Sequence, residues 1–428
     1  MNPDLRHWAR QHPERVAIEI GAQALRYGEL EAQVNRLTHV FKALGLSRGD
    51  HIAGLLANSP FPLIMAWAAW RSGLYFTPVY TALAVPEAPH ILRDSQARLM
   101  IVDGRFASQV AALRAQAGGV KHWLSHGDRI AGVEPVEDAM ARASAQPRED
   151  ESPGALMLYT SGTTGSPRGV WRPLPSVAGQ GAPTFAADLI ALCWLDEQMR
   201  YLSTAPLYHA APLRFALAIT AAGGLVHALE KFEPEAALSA ITEFGITHSQ
   251  WVPTMFQRLL QLPPELRAGH SAPRHVMALH AAAPCPAAVK RAMIEWWGPV
   301  LLEYYSGTEG VGLTMIDSAQ WLAHPGSVGR SVKGVPHVVD DASHELPAGQ
   351  VETIYFSGVT PFEYFCDPQK TALRTHAAGW QTLGVGYLDA DGYLYLTDRM
   401  DDMIISGGVN VYPQEIEAAI LELAEIVD

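Results

Sequence analysis

Apolar positions recur at helical spacing over residues 27–44 and 63–71, while short apolar runs at 52–56 and 99–102 read as strands. This alternation through the first 150 residues predicts βαβ units and a largely parallel sheet. Residues 143–153, rich in Ser, Gln, Pro, Arg, Glu and Asp, interrupt it and read as a linker between two lobes. Beyond them the pattern resumes, with strands expected at 156–160 and 224–229 and helices at 185–195, 235–244 and 287–297. From about residue 325 the texture changes to short strands separated by Gly, Asp and Pro turns, at 334–339, 351–356 and 393–396. A last helix is expected over 413–427, with Ile416, Ala419, Ile420, Leu423 and Ile426 along one face. The expected fold class is α/β: two mainly parallel-sheet subdomains, about 1–150 and 154–310, and a small β-rich, barrel-like subdomain over 311–398. The longest apolar stretches, 61–70 and 215–229, fall short of the roughly 18 residues that span a bilayer.

Composition narrows the class. The chain has 428 residues, 48% hydrophobic and 18% charged, which excludes disorder as the dominant state and leaves room for more than one core. Its net charge of −13, with no run of five Lys or Arg, gives no basic face for nucleic acid or an anionic membrane. An anionic ligand must therefore be held by a few local donors. Cys193, Cys285 and Cys366 form no CxxC pair and cannot all bridge within the chain. With no apolar leader at the N-terminus, a reducing compartment is expected, by default the cytoplasm. None of the 17 histidines stands in an HExxH pattern, and His270, His275 and His280 are five apart, off any common helical face. No zinc site is expected.

The densest chemistry lies at 159–169, Tyr-Thr-Ser-Gly-Thr-Thr-Gly-Ser-Pro-Arg-Gly, directly after an apolar strand. Glycines let backbone N–H groups approach an anion, hydroxyls add donors or metal ligands, and Arg168 supplies charge. A Ser/Gly surface turn is the bland alternative, but the segment is longer than the two to about five residues of an ordinary hairpin loop. It is not a P-loop, because no Gly-Lys-Ser/Thr follows at the required spacing.

This segment resembles the phosphate-loop signature of the adenylate-forming superfamily, which comprises acyl- and aryl-CoA synthetases, firefly-type luciferases and the adenylation domains of peptide synthetases. Further motifs follow in that family's order over essentially the whole chain. Residues 205–212, Ala-Pro-Leu-Tyr-His-Ala-Ala-Pro, look like the block that lends an aromatic or His side chain to the carboxylate pocket. Residues 280–286, His-Ala-Ala-Ala-Pro-Cys-Pro, look like the adenine-edge strand, and 303–310, Glu-Tyr-Tyr-Ser-Gly-Thr-Glu-Gly, like the adenine-stacking and magnesium motif. Residues 392–417 look like the hinge and the loop behind it.

The resemblance implies ATP/AMP binding by Thr160, Ser161, Gly162, Thr163, Thr164, Gly165, Arg168, Ala282, Ala283, Pro284, Glu303, Tyr304, Tyr305, Ser306, Thr308, Gly384 and Arg399. It implies catalytic roles for Thr164, Arg168, His209, Thr308 and Glu309, with Mg²⁺ on Glu309 and Thr164. His209, Leu213, His280, Ala281, Tyr304 and Gly307 would line the acyl pocket. Asp401 would be the hinge, and Gly407 and Gly408 the loop on the coenzyme A side. The implied reaction has two steps: a carboxylate attacks the α-phosphate of ATP, and a thiol, usually coenzyme A, then displaces AMP. Such chemistry needs positioning and charge stabilisation rather than an enzyme nucleophile. The motifs are closest to those of ligases for fatty, aryl or steroid-like acids. The implied partners are thus a small carboxylate, ATP and coenzyme A, with homodimerisation left open.

Two departures stand out. Relatives carry an aspartate that accepts the ribose hydroxyls in a Gly-Asp pair, where this chain runs from Gly384 straight into Val385. Loss of that charge-assisted contact costs on the order of 2 to 3 kcal/mol of nucleotide binding. The chain also ends at Asp428, so 399–428 read as the hinge and truncated start of a small α+β domain that in relatives supplies a lysine bridging carboxylate and phosphate. The competing expectation is a degenerate, non-catalytic acyl- or nucleotide-binding relative.

Overall fold

The computed structural model describes residues 4–81, 87–160, 167–175, 183–398, 404–406 and 409–411. Ser161, Gly162, Thr163, Thr164 and Gly165 of the loop, Arg399, Asp401, Gly407, Gly408 and the expected helix 413–427 lie outside them. The chain divides into two compact units between residues 232 and 233.

The first unit holds a wholly parallel six-stranded sheet in the order Glu134–Pro135, His122–His126, Leu99–Asp103, His51–Leu55, Tyr75–Pro78, Ala155–Leu156. Every residue of the central strands His51–Leu55 and Tyr75–Pro78 is buried, as expected of strands covered on both faces. Helix Phe61–Arg71 connects them and is apolar almost all round, so it is core rather than a surface helix. A second βαβ unit follows the same rule: strands Arg200–Ser203 and Leu225–Ala228 pair in parallel, and the buried helix Ala210–Ala222 crosses between them. Strand Val16–Ile20 extends this sheet alongside Leu225–Ala228.

Residues 143–153 are not where the two units part. They are strapped along helix Tyr27–Ala43 by Asn35 Nδ2 to the Ala145 carbonyl at 2.9 Å, Arg36 to the Ala143 carbonyl at 2.8 Å and a Lys42–Asp150 ion pair at 2.9 Å. Their polar composition reflects exposure and pinning by side chains, not conformational freedom.

In the second unit, strands His248–Trp251, Met277–His280 and Leu301–Tyr305 run parallel, and Leu313–Asp317 and Arg330–Lys333 continue antiparallel. Helices Pro253–Leu260 and Ala287–Trp297 bring Phe256, Trp297 and Met293 to the sheet, where Trp251 meets Phe256 and Trp297 at 5.9 and 5.3 Å between ring centres. The expected β-rich element is a four-stranded antiparallel sheet, Val335–Val339, Glu352–Ser357, Gln381–Leu388 and Leu394–Asp398. No described helix is long and apolar enough to cross a membrane.

Candidate active site

The Gly-rich segment is closed at its base by an antiparallel pair, Leu158–Thr160 with Arg168–Trp171, in which Thr160 stands opposite Arg168 and Tyr159 opposite Gly169. Helix Glu87–Asp94 pins this stem twice. The Tyr159 hydroxyl donates to Asp94 Oδ2 at 2.5 Å, and His90 Nε2 donates to the Pro167 carbonyl at 3.0 Å. Gly169 lies under the Tyr159 ring, where an added Cβ would come within 3.1 Å. The cation at position 168 is thus carried on a strand whose register is set, rather than on the loop itself.

Also in the first unit, His209 stands at the N-cap position of helix Ala210–Ala222, without a side-chain capping bond, and forms an aromatic cluster with Tyr208, at 4.6 Å, and Tyr80, at 5.4 Å. Its ring keeps an open edge, yet the protein around it displaces enough water to lower its pKa, so the imidazole is neutral at pH 7. Burial likewise raises the Tyr208 pKa and keeps its hydroxyl protonated. Leu213, one turn into the helix, is fully buried.

The second unit's motif lies at the carboxyl ends of its parallel strands, the edge at which open α/β sheets take their ligands. Strand Leu301–Tyr305 runs into a turn closed by the Gly310 N–H on the Gly307 carbonyl at 3.0 Å. The Ser306 hydroxyl donates to the Gly312 carbonyl at 2.6 Å, so it braces this loop. Thr308 and Glu309 are partly exposed, and the Tyr364 hydroxyl donates to Glu309 Oε1 at 2.9 Å, which orients the carboxylate. Sequence reasoning did not single out Tyr364, and no local pattern marks it. Tyr304 accepts from Gln250 Nε2 at 3.1 Å, while Ala282, Ala283 and Pro284 form an exposed turn after strand Met277–His280.

Two expected site residues face elsewhere. His280 and Glu303 are direct register partners, aligned with Trp251 and Ile316 across the sheet on the face that the helices cover. His280 is fully buried against Phe256, at 5.4 Å between ring centres, and therefore does not line an open acyl pocket. The Glu303 carboxylate is engaged by buried Lys290 and is not offered to a nucleotide. The period-two alternation of a strand decides this: Tyr304, between Glu303 and Tyr305, takes the opposite face. Near this pair, burial and then the charge of Glu303 push the Cys285 thiol up to about 12, so it is no thiolate nucleophile. None of the three cysteines forms a disulfide.

The AMP-binding enzyme family model matches residues 5–363. The chain belongs to the AMP-binding enzymes. Feruloyl-CoA synthase of Amycolatopsis sp. is 32% identical, aligned over 96% of this chain and 80% of its own length. Long-chain-fatty-acid–CoA ligase FadD13 of Mycobacterium tuberculosis is 31% identical, over 93% and 78%. Among solved structures, ATP-bound MatB from Rhodopseudomonas palustris superposes with a TM-score of 0.80 at 28% identity, over 99% of this chain and 84% of that one. The fold is that of the adenylate-forming superfamily, and this AMP-binding enzyme is a ligase of the acyl-CoA synthetase type.

Proposed function

We propose that the chain activates an apolar carboxylic acid, fatty, aryl or steroid-like, as its acyl adenylate and passes it to coenzyme A. The observation that carries this reading is the Glu309 carboxylate, oriented by Tyr364 beside Thr308 at the carboxyl edge of a parallel sheet. Names of relatives such as feruloyl-CoA synthase and indoleacetate–CoA ligase of Aromatoleum aromaticum agree with an aryl or alkyl acid. The aromatic cluster of Tyr80, Tyr208 and neutral His209 suits an uncharged acyl group.

In the first step a carboxylate oxygen bonds to the α-phosphorus as the bond to the leaving pyrophosphate breaks. In the second, the thiol sulfur bonds to the acyl carbon, AMP departs with the bridging oxygen, and the thiol proton passes to solvent. Tyr305 stacks on adenine along the exposed turn 282–284, and the Thr308 hydroxyl holds a phosphate oxygen. Thr308 and Glu309 form an oxygen-only donor set that fits a hard cation. A magnesium ion bound there with ATP would neutralise phosphate charge. Carboxylate-dependent ATP–pyrophosphate exchange over a panel of fatty, aryl and steroid-type acids tests the proposal. Exchange with at least one class is expected, and none across the panel overturns it.

One observation favours the non-catalytic alternative. Strand Gln381–Leu388 is irregular where the resemblance places the ribose aspartate: Leu383 is bulged opposite Ile354–Tyr355, and Thr397 is bulged beside Val385. Inserting Asp between Gly384 and Val385 is expected to tighten ATP binding by about tenfold or more, since a charge-assisted hydrogen bond contributes roughly 1.5 to 3 kcal/mol. An unchanged dissociation constant would mean that the nucleotide site is built without this contact.

A further inference from the structure

Beneath the exposed turn 282–284 lies a charged pair that the proposed chemistry does not use. Lys290 is fully buried; its Nζ donates to Glu303 Oε2 at 2.5 Å and stands 4.9 Å from the centre of the Trp321 ring. His280 lies beside it with Nε2 4.0 Å from the same oxygen, and neither ring nitrogen has a hydrogen-bond partner among the described residues. Burial lowers the Lys290 pKa and raises that of Glu303, while their mutual attraction opposes both shifts. Such a pair gains little over apolar side chains of the same volume, because desolvation offsets the attraction. An imidazole buried without partners adds a further cost. Stability therefore does not account for the arrangement.

Its placement does. Lys290 lies in the first turn of helix Ala287–Trp297, directly after the turn, with its backbone N–H on the Pro286 carbonyl at 3.0 Å. Glu303 precedes Tyr305 by two residues on the neighbouring strand. The turn is under strain: Ala282 has a φ of 79°, a left-handed conformation that a non-glycine residue keeps only where its surroundings impose it.

Resting on the ligase reading, we infer that Lys290 and Glu303, with His280 against them, are positioning residues that hold the strained turn 282–284 in register with the strand end at Tyr305 for nucleotide binding. A buried ion pair fixes direction as well as distance, which apolar packing does not.

The test is calorimetric titration of ATP, without acid, into the wild-type chain and the Lys290→Met/Glu303→Leu double variant, with thermal unfolding of each. Replacing both partners by apolar groups is expected to preserve the unfolding midpoint. The ATP dissociation constant is expected to rise about tenfold, equivalent to roughly 1.4 kcal/mol. In the exchange assay KM for ATP rises while kcat is little changed, a split that a purely structural pair would not produce. If the double variant does not fold, Glu303→Asp, which draws the charge back by one methylene, takes its place with the same expected direction. A folded variant with wild-type ATP affinity overturns the inference alone. A wild-type chain that binds no ATP overturns the ligase reading on which it rests.

Discussion

Tyr364 is the residue whose role the sequence hides most completely. It lies 55 positions from Glu309, yet its hydroxyl fixes one carboxylate oxygen at 2.9 Å. Tyr364→Phe removes that donor and leaves the ring, which is 5% exposed, in its packing against Phe362. The expected outcome is a loss of about 1 kcal/mol of carboxylate orientation, seen as a several-fold lower kcat/KM for ATP with an unfolding midpoint close to wild type. Unchanged kinetics would show that Glu309 is held without it. Glu303 and His280 teach the converse at this scale. Motif likeness placed both in the site, whereas strand parity turned both toward the helices.

Among elements, the junction between the active-site turn and the β-rich sheet depends on a close approach. Gly312 follows the 307–310 turn, and a Cβ there would lie 2.3 Å from the buried Phe356 ring on strand Glu352–Ser357. Phe356 is fully buried and cannot move aside cheaply. Gly312→Ala is therefore expected to cost about 1 to 3 kcal/mol by overpacking, measured as a lower urea midpoint. A midpoint equal to wild type would show that the ring has room to shift. The stem of the Gly-rich loop is a second such junction, where local sequence announced the glycines but not the clamp of His90 and Asp94 from a helix some 70 residues earlier.

For the whole molecule, buried neutral histidines predict sensitivity to acid. Burial lowers His51 to about 4 and His275 to about 3, and holds His280 well below its ordinary value. Unfolded, each titrates near 6.5. The unfolded state thus binds more protons through this window, so stability is full above about pH 6.5 and falls as pH drops toward 4 for His51 and 3 for His275. The His51 shift alone corresponds to on the order of 3 kcal/mol. The urea midpoint should drop between pH 7.5 and 5, and less in His51→Phe, which keeps a ring to stack on Tyr75 at 4.5 Å. Equal midpoints at both pH values would contradict this account.

What the sequence by itself determined was set by local periodicity and by motifs that keep their residues contiguous. Alternating periods announced the parallel sheets, the β-rich strands near 335–396 and helices such as Ala287–Trp297. The Gly-rich segment and the 303–310 run announced an adenylate-forming enzyme. Tertiary structure alone decided which side chains those motifs present. It tied residues 143–153 to helix Tyr27–Ala43, paired His280 with Glu303 on the helix-covered face, brought Tyr364 to Glu309 and divided the units at 232 and 233. The physical reason is the range of the interactions. Helical and strand periods are encoded between neighbours, whereas a side chain's partner depends on register and burial set by segments far away in the chain.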